Sequence, residues 1–221
     1  MSDITGRYDM DKTIIKIIVL ILASLTFVGC NNQDQGNHNR GMNNVHEDQL
    51  FGLSISKLAS WKFITSEESR DRIRSTKLVD ENIEKLVLLF ASKPIVVMMK
   101  SRRHIPLPTI QITVNPNDSS PDVSAIDILL HLSRKGPNAF KGYSIVHPPE
   151  EIEIDGQKAA YMKAHYTGEF WGDNNLYPVS YETWIVPRQR YFFMISAVSS
   201  QSEDNKTQSE ITSIIKSIKL K

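Results

Sequence analysis

Cysteine is almost missing from this chain. Cys30 is the only thiol among 221 residues, which excludes a disulfide framework and any metal centre built from several cysteines. A dominant charge is missing too: 26 basic residues stand against 25 acidic ones, a formal net charge of +1. A nucleic-acid or polyanion binder carries a broad basic bias, so no nucleic-acid partner is expected. Long apolar runs are also lacking. The most apolar stretch, Ile14 to Val28, has 15 residues and is interrupted by Lys16, against about 20 needed for a helix to span a bilayer. Finally, the sequence holds no G-x-S-x-G elbow, no glycine-rich phosphate loop and no H-E-x-x-H pair.

What is present begins with that apolar stretch. Lys12 and Lys16 form a basic start, the segment to Val28 an apolar middle, and Gly29-Cys30 a small-residue cut point. These are the features of a secretory signal. A small residue directly before a cysteine resembles the lipobox of bacterial lipoproteins, with Phe27 where that family prefers leucine. The resemblance implies that residues 1–30 are a signal peptide ending at Cys30, which is acylated after cleavage and holds the protein to a membrane. Each buried CH₂ contributes about 0.8 kcal/mol, and stable anchoring takes more than one chain; the diacylglyceryl and amide-linked chains of such lipoproteins meet that need. The competing reading is an uncleaved signal anchor. Met10 is an alternative start to Met1, because MSDITGRYD adds acidic residues to a region that should be basic. Removing the signal takes three charges of each sign and leaves the balance at +1.

Residues 31–49, NNQDQGNHNRGMNNVHEDQ, hold only Met42 and Val45 as apolar groups. Such a composition cannot bury enough surface to offset chain entropy and reads as a disordered tether. His38 and His46 read as solvated linker residues rather than metal ligands. Asn31 follows the cysteine, which in enterobacterial sorting implies the outer membrane, the membrane expected if the source is Gram-negative.

Residues 50–221 carry the patterns of a folded domain. Phe51, Leu53 and Ile55 alternate as in a half-buried strand, and Trp61 with Phe63 repeat the pattern. Ile83, Leu86, Val87 and Phe90 make the stripe of an amphipathic helix behind Asp80, limited by Pro94. Strands follow over Ile95–Met99 and around Ile110, Ile112 and Val114. Ser120 and Pro121 are expected to start a helix that Gly136-Pro137 stops, with Val123, Ile126, Leu129 and Leu130 as its buried face. In EIEIDGQKAAYMKAHY, Asp155-Gly156 suits a tight turn between two strands, and Ala160, Met162, Ala164 and Tyr166 share one face. A second hairpin, Val179–Val186 with Tyr191–Val198, turns at Arg188-Gln189-Arg190. A helix from about Ser202 to Ile218 carries an isoleucine stripe and ends in lysines, which suit its dipole. The sum is an α+β domain with an antiparallel sheet of about six or seven strands packed with three helices.

FGLSI with a following tryptophan strand, then PTIQITVN, EIEIDGQKAAYMKAHYT, RYFFMISAVSS and a closing IIKSIK helix together resemble the PsbP/Mog1-like superfamily. The similarity covers nearly all of residues 51–219. It departs at Ala59-Ser60, where the family usually has a proline ahead of the tryptophan. The resemblance implies an accessory or binding factor rather than an enzyme, in the manner of the extrinsic photosystem II subunit and a Ran-binding nuclear protein. It is a matter of fold and assigns no active-site residue.

No catalytic constellation emerges, and neither a cofactor nor a metal is expected. His104, His131, His147 and His165 lack any ligand spacing. Two segments stand out as partner-binding candidates. Lys100, Arg102 and Arg103, with His104, form a basic loop able to hold a phosphate, an anionic headgroup or an acidic partner. Phe170, Trp171 and Tyr177 crowd GEFWGDNNLYP, where aromatic residues outside a core favour an interface; the bland alternative is a loop folded back over a sheet edge. The expected function is a lipid-anchored, non-catalytic protein-binding or assembly factor of the cell envelope. A small-molecule-binding lipoprotein (lipid, metal or small anion) and an envelope hydrolase are the rivals.

Overall fold

The computed structural model describes residues 44–65, 94–100, 107–117, 124–169, 175–202 and 205–221. In chain order they form β1 (Val45–Asp48), β2 (Leu53–Ser56), β3 (Trp61–Phe63), β4 (Pro94–Lys100), β5 (Thr109–Pro116), α1 (Ala125–Ala139), β6 (Lys141–Ile154), β7 (Gln157–Glu169), β8 (Leu176–Pro187), β9 (Tyr191–Ser200), α2 (Asn205–Lys216) and β10 (Lys219–Leu220). Seven strands make one antiparallel sheet in the order β3-β4-β5-β9-β8-β7-β6. A second sheet has the order β1-β2-β10. The domain is therefore α+β with a central antiparallel sheet, as the sequence leads one to expect.

The hairpins follow from local chemistry. Asp155 and Gly156 take positive φ of 49° and 72°, which a short polar side chain and a missing one tolerate. At the other hairpin the Arg188 N–H donates to the Tyr191 carbonyl at 2.7 Å. Strands β8 and β9 are buried on both faces, which explains near-continuous apolar runs such as YFFMISAV. On one face, Leu129 and Leu132 of α1 pack with Phe140, Met162, Tyr166, Tyr181 and Ile185. On the other, Ile211, Ile214 and Ile215 of α2 pack with Ile218, Leu53, Ile55, Trp61, Trp184 and Ile195. Burying each such side chain is worth about 1.5–3 kcal/mol.

The small sheet is tied down from several sides. Leu220 lies opposite Leu53 in register. Ser217 Oγ accepts the Ser56 N–H at 2.9 Å. Asp155 takes the Lys219 ammonium at 2.9 Å and the Leu220 N–H at 2.8 Å. The hydrogen bonds from Leu220 and Lys219 hold the Asp155 carboxyl below the ordinary carboxylate range.

Several local expectations change. Val45–Asp48, the end of the expected tether, pair with β2; ladder bonds to a buried neighbour order a segment whose own composition is polar. Helix α1 starts at a Ser124 cap whose capping box with Asp127 satisfies the first turn, and it runs through Gly136-Pro137 to Ala139. Proline near the helix end forfeits one hydrogen bond and does not stop it. Gly136 is required for another reason, since a Cβ there would collide with the ring of Tyr143. Leu132 is buried in place of Leu130, which is 36% exposed. His147-Pro148-Pro149 lies within β6. The helix expected near Ile83–Phe90 and the start at Ser120-Pro121 fall outside the described residues.

Candidate functional site

Strand β6 slips register three times, between Lys141 and Ser144, Ile145 and His147, and His147 and Glu150. Each extra residue returns a side chain to the same face. Ser144, His147 and Glu150 thus stand beside His165, Lys163 and Tyr161 of β7. Those residues pair in turn with Ser180, Glu182 and Trp184 of β8. The three rows lie on the α2 side of the sheet. Where α2 ends, a groove of about 350 Å³ opens between the sheet and the helix, bounded by Ile152, Tyr161, Glu182, Trp184, Thr212 and Lys216.

The floor of the groove combines aromatic rings with one deeply placed carboxylate. Tyr161 lies 5.2 Å from the Trp184 ring and 5.3 Å from His147, centroid to centroid. Glu182 is only 8% exposed. Its Oε2 accepts the Tyr161 hydroxyl at 2.8 Å, and its Oε1 is 3.5 Å from the Lys163 ammonium. Burial, followed by the charge of Glu182, pushes the Tyr161 phenol far above its ordinary pKa. The phenol therefore stays protonated and donates. His165 is held below its ordinary value by burial and then by Lys163, so its imidazole is neutral near pH 7. Ser180 stands opposite His165 in register, yet its hydroxyl is buried without a hydrogen-bond partner. That arrangement does not activate a nucleophile, which needs a base within hydrogen-bond reach. Among the described residues, no group of three His, Cys, Asp or Glu side chains converges to hold a metal. No described helix is long and apolar enough to cross a membrane.

The residues singled out in the sequence fall in different places. Lys100 is not a surface cation: it is 3% exposed, with its ammonium 2.8 Å from Glu210 Oε2 and donating to Thr207 Oγ1 at 2.6 Å. Burial under α2 removes it from any basic docking loop. Tyr177 sits in β8, half-buried against the α1 cluster and so on the opposite side of the sheet from the groove. Cys30, Arg102, Arg103, Phe170 and Trp171 lie outside the described residues. The structure does not bring Lys100 and Tyr177 together. Sequence reasoning passed over Tyr161, Glu182 and Trp184. One signal was available: a charged Glu182 inside the otherwise β-prone run VSYETWIV.

No family model matches the chain, and no curated protein sequence matches it. Solved structures share parts of the architecture. LpqN, involved in cell envelope biogenesis of Mycobacterium tuberculosis, aligns with a TM-score of 0.49 at 12% identity, over 76% of this chain and 82% of that one. Cyanobacterial PsbP from Synechocystis aligns with a TM-score of 0.49 at 11% identity, over 88% and 99%. The Ran-binding protein Mog1p of Saccharomyces cerevisiae gives 0.45 at 10% identity, over 80% and 94%. At such scores and identities the likeness says nothing about what this chain binds.

Proposed function

We propose that the chain is a lipid-anchored bacterial envelope protein whose α+β domain binds another protein and performs no chemistry. The observation that carries the binding role is the groove beside α2. Its rings offer apolar contact area, and its buried carboxylate is already engaged by Tyr161 and Lys163, leaving a surface built to recognise rather than to react. The anchor rests on the lipobox-like Gly29-Cys30. Arg102, Arg103, Phe170 and Trp171 remain partner-binding candidates on their residue types alone.

The test is a photo-crosslinking amino acid placed at Thr212, on the groove, and at Leu130, on the far side, in cells of the source organism. A discrete crosslinked protein at position 212 and none at 130 is the expected result; identical patterns at both would end the reading. Cys30→Ser protein should lose its acyl groups by mass spectrometry and move from the detergent to the aqueous phase. A second reading is favoured by the size of the groove, which lies in the range of small-molecule sites, about 300–1,000 Å³. Native mass spectrometry of protein taken from its own membrane separates the two, since a retained small molecule belongs to this second reading only.

A further inference from the structure

The groove has an open side. Strand β6 is the last strand of the seven-stranded sheet, and among the described residues nothing pairs with its outer edge. An edge strand presents a row of backbone donors and acceptors to any extended chain that can approach. Its two halves differ. Pro148 and Pro149 remove two N–H groups in mid-strand, whereas Glu150 to Ile154 keep a regular ladder with β7 and contain no proline. This regular half borders the groove, to which Ile152 and Ile154 contribute.

We infer that the outer edge of β6 from Glu150 to Ile154 takes an extended, lysine- or arginine-bearing segment of a partner protein as an eighth strand. This inference deepens the protein-binding reading above and rests on it. Charge selects the occupant. Glu150, Glu151 and Glu153 are exposed along the edge, whereas the buried Glu182 behind them is already paired with Lys163. A second copy is disfavoured, because antiparallel pairing about Ile152 would set Glu151 against Glu153, and like charges directly opposite destabilise a ladder. A strand with basic residues at alternate positions reverses the sign of those contacts. The intervening side chains would lie on the α2 face beside Ile152 at the mouth of the groove, where apolar ones are covered.

The test uses the full chain in detergent and three fluorescein-labelled heptapeptides: alternating Lys-Val, alternating Glu-Val, and Lys-Val methylated on every second backbone nitrogen. Anisotropy should show the Lys-Val peptide binding at least about tenfold more tightly than either control, a gap of roughly 1.4 kcal/mol. The triple variant Glu150→Gln, Glu151→Gln, Glu153→Gln should lose about the same factor, while Lys206→Gln, at the far end of α2, should not. Equal binding of the methylated peptide would reduce the contact to charge adhesion and overturn the inference. So would self-association of the wild-type chain through β6 in sedimentation. If the Thr212 crosslink survives in the triple variant with undiminished yield, the protein-binding reading stands and strand addition fails. If that crosslink never forms, the reading itself fails first.

Discussion

Replacing Glu210 with alanine should destabilise the domain more than any surface substitution, and more than removing its partner Lys100. In the wild type, Glu210 Oε2 accepts from Lys100 at 2.8 Å and from the Trp61 indole at 3.0 Å. Burial opposes ionisation of Glu210, but these hydrogen bonds and the lysine charge outweigh it and hold the carboxyl below its ordinary value. The side chain of Lys100 is 4% exposed and that of Glu210 12%, so deleting the glutamate strands the drier ion. Breaking a buried pair in this way costs about 3–5 kcal/mol. The assay is urea unfolding followed by tryptophan fluorescence at pH 7, where Glu210→Ala should lose about 3–5 kcal/mol and Lys100→Met/Glu210→Leu should recover most of the loss. In the wild type, the depressed carboxyl adds stability that is full above the unfolded-state pKa near 4.3 and disappears as pH falls through the lower folded value. A loss under about 1 kcal/mol, or a double variant no better than the single, would refute the reasoning.

Three further outcomes are expected. Tyr166→Phe should be neutral or stabilising by up to about 1 kcal/mol in urea titrations, because the Tyr166 hydroxyl is buried without a partner. Gly136→Ala should cost about 1–3 kcal/mol through collision with Tyr143, and the loss should shrink when Tyr143→Ala is added. Asp155→Asn should loosen β10, read as faster hydrogen exchange at Leu220, whose N–H the carboxylate now accepts. The same fraying should set in for the wild type only in acid: the Asp155 carboxyl is depressed, so its support is present above the unfolded pKa and lost as pH falls through the folded one.

What could be read from the sequence was local and periodic. Ala160, Met162, Ala164 and Tyr166 alternate because a strand buries every second residue, and all four are buried. Ile211, Ile214 and Ile215 mark the covered stripe of α2 for the equivalent helical reason. Asp155-Gly156 announced its turn. The misreadings involve partners distant in sequence or a choice between similar signals. Lys100 looks like one cation among several until Glu210 is placed against it across the fold. Ser124 caps α1 because Asp127, three residues on, completes a capping box with it, a pairing the sequence reading did not use. Strand β6 crosses two prolines because only an edge tolerates them. The groove was the least legible feature. Its members come from β6, β7, β8 and α2, elements that only the tertiary fold brings together.

The pairing of β2 with β10 has a consequence for how the protein is made. Ser56 and Ser217, which bond each other, are 161 residues apart in the chain. While a ribosome is still extending the nascent polypeptide, Leu53 and Ile55 have emerged but the helix and strand that shield them have not. Such distant closure is slow to form, and until synthesis reaches Leu220 these side chains are exposed to water, to chaperones and to one another.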